Sequence, residues 1–283
     1  MKRIFLSLLL VFIFLQYLSA QALKVEYKEE VNPYANRDVS KDYEHISSPE
    51  VRAALEKHAK SLMVRNLELI VKGGISTYSE VKKPNPEEKE TSSIETSDTK
   101  ATLTVSRQNV APLVIYRNNI DSIYINQMEL DGKTYLVESS KVPEFGWEIT
   151  SEQKNILGYN CIKATATVGR ARKIGDIETQ PQNVAAWYSP DIPVNAGPAN
   201  YSGLPGLILE VNVGDGKHVL TGVSLEPVSS VAEIPKPEQG EKVNGDEFAK
   251  IVSQSIASKL EHGKQQAASS GDGVTHKIRI SSF

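Results

Sequence analysis

Apolar and polar residues alternate with a period of two over much of this chain, and turn residues punctuate the alternation. Leu23-Lys24-Val25-Glu26-Tyr27 opens the series as a first strand. A polar connection leads to Ser48-Pro49-Glu50, which predicts a helix start: a capping hydroxyl, a proline in the first turn and an acid at the positive end. Val51, Ala54, Leu55 and Ala59 give that helix one apolar face, and it ends near Ser61. Leu67, Leu69 and Val71 then run into Gly73-Gly74, and Ile75 to Val81 completes a hairpin signal. Residues 84–100 hold one large apolar residue, Ile94, among Pro, Glu, Ser, Thr and Lys, so a mobile loop is expected there.

Strand character returns at Ala101. Leu103 with Val105, Val114-Ile115-Tyr116 and Ile123-Tyr124-Ile125 each predict a short strand, and Asp131-Gly132 turns the chain into Thr134 to Glu138. Ile162, Ala164, Ala166 and Val168 form one face of a later strand. Leu207, Leu209, Val211 and Val213 form another, and Gly214-Asp215-Gly216 leads it into Val219 to Leu225. Pro227, Pro235 and Pro237 end the sheet. Asn244-Gly245-Asp246 then introduces a helix with Phe248, Ile251, Val252, Ile256 and Leu260 on one side, and Gly263 is expected to stop it. The fold class that follows is α+β: a mostly antiparallel, curved, half-barrel-like sheet with one or two helices packed on it. A single domain over residues 23–263 is expected, followed by a flexible tail over residues 264–283.

The first residues change the picture by giving an address. Lys2 and Arg3 precede an apolar run from Ile4 to Leu15, interrupted only by Ser7, and Ser19-Ala20-Gln21-Ala22 follows. A basic start, a short apolar stretch and small residues at an A-x-A site make a secretory signal over residues 1–22, with cleavage after Ala20 as the rival cut. The run is shorter than the roughly 20 apolar residues a spanning helix needs, and no later segment is apolar enough, so no transmembrane segment is expected in the mature protein. Cleavage after Ala22 removes two of the 32 basic residues and none of the 35 acidic ones, leaving 30 against 35 and a formal charge of −5. A periplasmic or secreted location follows.

Charge and cysteine usage narrow the chemistry. A formal net charge of −3 for the whole chain argues against nucleic acid as a partner, because a backbone binder shows a basic surface. The single cysteine, Cys161, excludes an internal disulfide and any multi-cysteine metal cluster. It sits in a strand-like run without a neighbouring histidine and reads as a packed structural residue. His45, His58, His218, His262 and His276 show no metal-ligand spacing, and no G-x-S-x-G, P-loop or G-x-G-x-x-G pattern is present. No cofactor, metal ligand or catalytic residue is therefore assigned.

The stretch from Trp187 to Val211 stands apart. Trp187-Tyr188-Ser189-Pro190, Gly197-Pro198 and Tyr201-Ser202-Gly203-Leu204-Pro205-Gly206 describe a stiff, tightly turned loop feeding a buried strand. Gly203 and Gly206 are expected to take backbone positions denied to other residues. One reading is a structural corner in which Leu204, Leu207 and Ile208 plug the end of the sheet. The other is a ligand or partner platform, with Trp187, Tyr188, Tyr201, Leu204 and Pro205 as its candidate residues.

Gly203-Leu204-Pro205-Gly206-Leu207-Ile208 resembles the hexapeptide that names the GLPGLI family of exported proteins from Bacteroidetes-type bacteria. Trp147-Glu148-Ile149, Lys154 to Cys161 and Trp187-Tyr188 match its flanks. The resemblance implies an envelope protein, places Cys161 at the family's habitual cysteine and carries no catalytic residues; its members often accompany outer-membrane transport receptors. The expectation is a periplasmic binding or interaction protein that carries a hydrophobic ligand or serves an outer-membrane transport receptor. The alternative is an envelope hydrolase or metal-dependent enzyme whose site converges from distant residues.

Overall fold

The computed structural model describes residues 22–282 apart from 33, 35–37, 45–48, 50–51, 54–55, 58–62, 82–107, 110–111, 142, 170–171, 175–176, 230, 232 and 270–280. The leader, most of the Ser48 helix, the strand at Leu103, the loop over 84–100 and most of the tail lie outside the described residues. The strands begin with β1 (Ala22–Val31), β2 (Met63–Lys72) and β3 (Ile75–Glu80). Then come β4 (Gln108–Asn109), β5 (Pro112–Asn118), β6 (Ile123–Leu130) and β7 (Lys133–Ser139). The middle of the chain forms β8 (Glu148–Ile156), β9 (Tyr159–Val168), the short pair β10 (Arg172–Ile174) and β11 (Ile177–Thr179), and β12 (Gln182–Ser189). Last are β13 (Leu207–Val213), β14 (His218–Val228), β15 (Glu241–Asn244), the helix α1 (Gly245–Ser269) and β16 (Ser281–Ser282).

Twelve of these strands form one open sheet in the order β15-β7-β6-β5-β3-β2-β1-β14-β13-β12-β9-β8. Neighbours pair antiparallel, except that β15 runs parallel to β7, so the sheet is mixed. The β-rich α+β class holds. The turn chemistry read in the sequence sets the registers: Gly73-Gly74 joins Lys72 to Ile75, and Asp131-Gly132 joins Leu130 to Lys133. The strand pair β8–β9 closes in the same way through Leu157-Gly158, a turn the apolar pattern did not announce.

Three expectations are corrected. Trp187 and Tyr188 lie in β12, not in a loop, so the irregular segment is residues 190–206. Val211 does not continue the Leu207–Leu209 row: a register shift opposite Trp187/Tyr188 places one extra residue in β13 and moves Val211 into contact with Ile208, Tyr188 and Leu220. Both sides of β13 are consequently buried, with Leu207, Ile208, Leu209 and Val211 all at 0% exposure. Finally, α1 does not stop at Gly263 but runs to Ser269. The residues after Gly263 include Gln265, Gln266, Ala267 and Ala268, all good helix formers, whose propensity outweighs the cost of one glycine.

Helix α1 starts on a capping box. Asn244 Oδ1 accepts from the Asp246 and Glu247 amides while Glu247 Oε2 accepts from the Asn244 amide. Phe248, Ile251 and Val252 pack on Met128, Leu130 and Tyr135, with the Tyr135 and Phe248 rings edge to face at 5.5 Å. The far side of the β5–β7 region is closed by Val231 and Ile234, which lie in the segment after β14 and pack on Tyr116, Ile125 and Leu136.

Candidate functional site

The segment 190–206 crosses the sheet as a braced plug. Its Ile192 carbonyl accepts from the Leu207 amide and its Ala196 carbonyl from the Ile208 amide, each at 3.0 Å, so the loop extends the edge of β13 as it leaves. Ile192 and Ala196 are buried against Val25, Tyr27, Leu69 and Ile115, which belong to β1, β2 and β5. Leu204 is buried on the other side, with Tyr188 and Ile208. Gly206 is required by close approach: a Cβ there would land on the Ser189 carbonyl oxygen and stand 2.7 Å from its carbon. Tyr27, wholly buried, donates its hydroxyl to the Ile208 carbonyl at 2.6 Å.

Outside the plug stands an aromatic group. Trp147 donates Nε1–H to the Ser202 carbonyl at 2.8 Å, and Phe145 stacks on Trp147 at 5.2 Å and meets Tyr201 at a tilt, 5.1 Å away. Burial pushes the Tyr201 hydroxyl up to about 12.

The inner edge of the same loop makes a different contact. Arg117 of β5 is 5% exposed, and its Nη2 donates to the Ala199 carbonyl and to Asn200 Oδ1, both at 3.2 Å. Burial pushes this guanidinium down to about 10, with the Tyr124 phenol opposing that. Among the described residues no carboxylate pairs with it. Register places Arg117, Tyr124, Asn126, Val137 and Ser139 on one sheet face, since Arg117 opposes Tyr124, Tyr124 opposes Ser139 and Asn126 opposes Val137. That face also carries Met128 and Leu130 under α1 and Ile115 under the plug. Between the two covers lies an open cavity of about 520 Å³, lined by these floor residues, by Asn200 of the loop and by Asn244 and Asp246 at the start of α1.

Two further polar clusters serve the frame. Glu29 of β1 is 6% exposed and accepts from Arg65 of β2, while His218 of β14 meets its other oxygen at 2.8 Å. Burial pushes the Glu29 carboxyl up, but the His218 hydrogen bond and the Arg65 charge outweigh it and hold the group below the ordinary carboxylate value. The cluster thus pins three neighbouring strands. Cys161 is free and buried, and desolvation pushes its thiol up to about 11, which leaves it protonated and packed at neutral pH. Among the described residues no three His, Cys, Asp or Glu side chains group as metal ligands.

The sequence-chosen platform residues are separated by this geometry. Adjacent positions of a strand point to opposite faces, so Tyr188 is buried while Trp187 is half-buried beneath two ammonium groups, Lys154 at 4.3 Å and Lys163 at 5.9 Å from its ring. Leu204 is 2% exposed, Pro205 is exposed and Tyr201 joins Phe145 and Trp147. Arg117, Asn126 and Asn200 escaped sequence reasoning. The one signal was a charge inside the strand Val114-Ile115-Tyr116-Arg117, and only the register shows where it goes.

Residues 147–210, which contain the Trp147 bracket and the whole plug, match a family described as Porph_ging, protein of unknown function. That segment fits a family of unknown function. Solved structures of PNGF-II in two space groups, P21 and C2, are also similar, at 15% and 14% identity and TM-scores of 0.47 and 0.48. Each alignment covers 83% of this chain, which spans about a third of the PNGF-II chains, 34% and 33%. No curated protein matches.

Proposed function

We propose that the protein is an exported binding module of the GLPGLI type that works in the bacterial cell envelope and seats its ligand in the cavity between the plug and α1. The observation that carries this reading is the stranded charge of Arg117. A buried guanidinium costs several kcal/mol unless it is compensated, and here the floor around it stays open to solvent. The polar floor supports a polar cargo over the hydrophobic one, because the apolar area of this face is already covered by Ile192 and Ala196 on one side and Phe248 on the other. Delivery to an outer-membrane transport receptor would use the exposed Pro205 and the Phe145–Trp147–Tyr201 group beside it.

A curved, half-barrel form of the sheet belongs to this reading. Leu157, in the β8–β9 turn, would sit 3.6 Å from a Cβ on Gly222 of β14, although β8 and β14 stand four places apart in the sheet. In a flat sheet that separation is about 19 Å, so this end rolls inward. The basic start, the apolar run and the small residues before β1 support export to the envelope, and the burial of Ala22 in β1 favours the cut after Ala20.

Two measurements test the proposal. N-terminal sequencing of envelope-fraction protein should start at Gln21; intact Met1 in a membrane-embedded form contradicts export. Ser139→Trp fills the cavity from its floor and should abolish capture of the partner that the mature wild-type chain retains from envelope extract. Equal capture by both chains would place the binding surface elsewhere.

A further inference from the structure

The cavity is chemically asymmetric, and the asymmetry specifies a ligand. Its inner end holds Arg117, whose two contacts both fall on Nη2 and both go to neutral oxygens. A guanidinium offers five donors in a planar fork, and with both contacts on Nη2 the N–H groups of Nη1 and Nε remain for the oxygens of an anion. The outer end carries a carboxylate instead, that of Asp246 of α1. Lys141 stands on the same rim. The helix start supplies no anion seat, because Asn244 already occupies the Asp246 and Glu247 amides. Between the two ends the lining offers amides and hydroxyls, from Asn126, Asn200 and Ser139.

We infer that the cavity binds a small hydroxylated carboxylate of the sugar-acid class, its carboxylate on Arg117 and its hydroxyls on Asp246 and the amides of Asn126 and Asn200. A single carboxylate satisfies the buried charge, while the hydroxyl groups suit the exposed rim carboxylate of Asp246 and the amides between. A phosphate dianion also suits the guanidinium but brings a second charge toward the Asp246 carboxylate. A neutral sugar suits the rim and leaves Arg117 as it is. The cavity volume of about 520 Å³ falls within the range of small-molecule sites. This inference rests on the proposed binding role and names its ligand class.

Isothermal titration of the mature chain with D-glucuronate, D-glucose and inorganic phosphate at low ionic strength tests it. D-glucuronate should bind at one site, with glucose weaker by roughly tenfold or more, the scale set by leaving a buried charge unpaired, and phosphate weaker through its second charge. Arg117→Gln should weaken glucuronate by a similar factor while glucose is unchanged. Because Arg117 also holds the loop, Ser139→Trp is the second variant, and it should abolish glucuronate binding with the fold intact by circular dichroism. No glucuronate binding to the wild type, phosphate binding as tightly as glucuronate, or undiminished binding by Ser139→Trp would each overturn the inference. If glucuronate fails while Ser139→Trp still loses its envelope partner, the ligand class falls and the binding role stands. If Ser139→Trp alters neither, both fall.

Discussion

The two halves of one sheet are finished in opposite ways. Over β12, β13 and β14 the chain covers itself: the plug lays Ile192, Ala196 and Leu204 onto strands whose Leu207, Ile208, Leu209 and Val211 have no exposed surface. Over β5, β6 and β7 the covers stop short, leaving a polar floor and a buried cation. Both halves have the same pleat, the same antiparallel pairing and a segment of similar role above them. The difference lies in what the strands present, Leu and Ile in one case and Arg117, Tyr124 and Asn126 in the other. Unusual local sequence therefore marks the half that needs the most help to pack. The half with the open cavity has strands of ordinary appearance.

The comparison breaks most sharply at Gly206. Gly206→Val drives a branched side chain into the Ser189 backbone, which is fixed by β12, and the chain should fail to reach its native fold. Recovery of a soluble protein with a wild-type melting curve would show that the plug is not anchored there. Next in size, Leu207→Ala removes a wholly buried side chain from a dry core and should cost about 2–5 kcal/mol in denaturant unfolding. Asn126→Ala on the cavity floor is its counterpart and should stay within roughly 0.5 kcal/mol of wild type. Equal losses would erase the contrast between the halves. Smaller again, Trp147→Phe keeps a ring against Phe145 and loses the bond to Ser202, for a cost of about 0.5–1.5 kcal/mol.

Acid gives the mildest probe, because it acts on neither the plug nor the cavity but on the Glu29 cluster that joins β2, β1 and β14. Burial alone would raise the Glu29 carboxyl, yet His218 and Arg65 hold it below its ordinary value of 4.5. A carboxyl depressed in the folded state contributes stability that is full above 4.5 and is lost as pH falls through the lower folded value. Melting temperature should therefore decline below pH 4.5, and Glu29→Gln should start lower at neutral pH but decline less. A variant that keeps the whole acid limb would assign the effect to other carboxylates.

Much of the frame was legible because turns declare themselves locally. Gly73-Gly74, Asp131-Gly132 and Gly214-Asp215-Gly216 each set a strand pair at the place where they stand in the sequence. Leu157-Gly158 does the same work with a leucine at φ 54, where no glycine pair signals it. Strand β15 was hidden for another reason: four residues, Glu241–Asn244, pair parallel with a strand a hundred positions earlier, and no periodicity encodes that. The bulge in β13 flipped Val211 because one extra residue reverses a period of two. In the candidate site, aromatic and glycine residues drew attention to the plug, whereas Arg117 meets Asn200 across 83 positions of chain. Contact at that distance is a property of sheet order, and sheet order is not written in any one segment.

Hydrogen exchange on the mature chain tests most directly whether the plug is structure and the cavity is the seat. The Leu207 and Ile208 amides, bonded to the plug at 3.0 Å, should exchange only by global unfolding, while the exposed rim around Lys141 exchanges by local opening. Saturating D-glucuronate should slow exchange around Arg117, Ser139 and Lys141 beyond any general stabilisation of the fold. Rapid exchange at Leu207 and Ile208, with ligand protection falling on residues 190–206 in place of the cavity, would contradict the account.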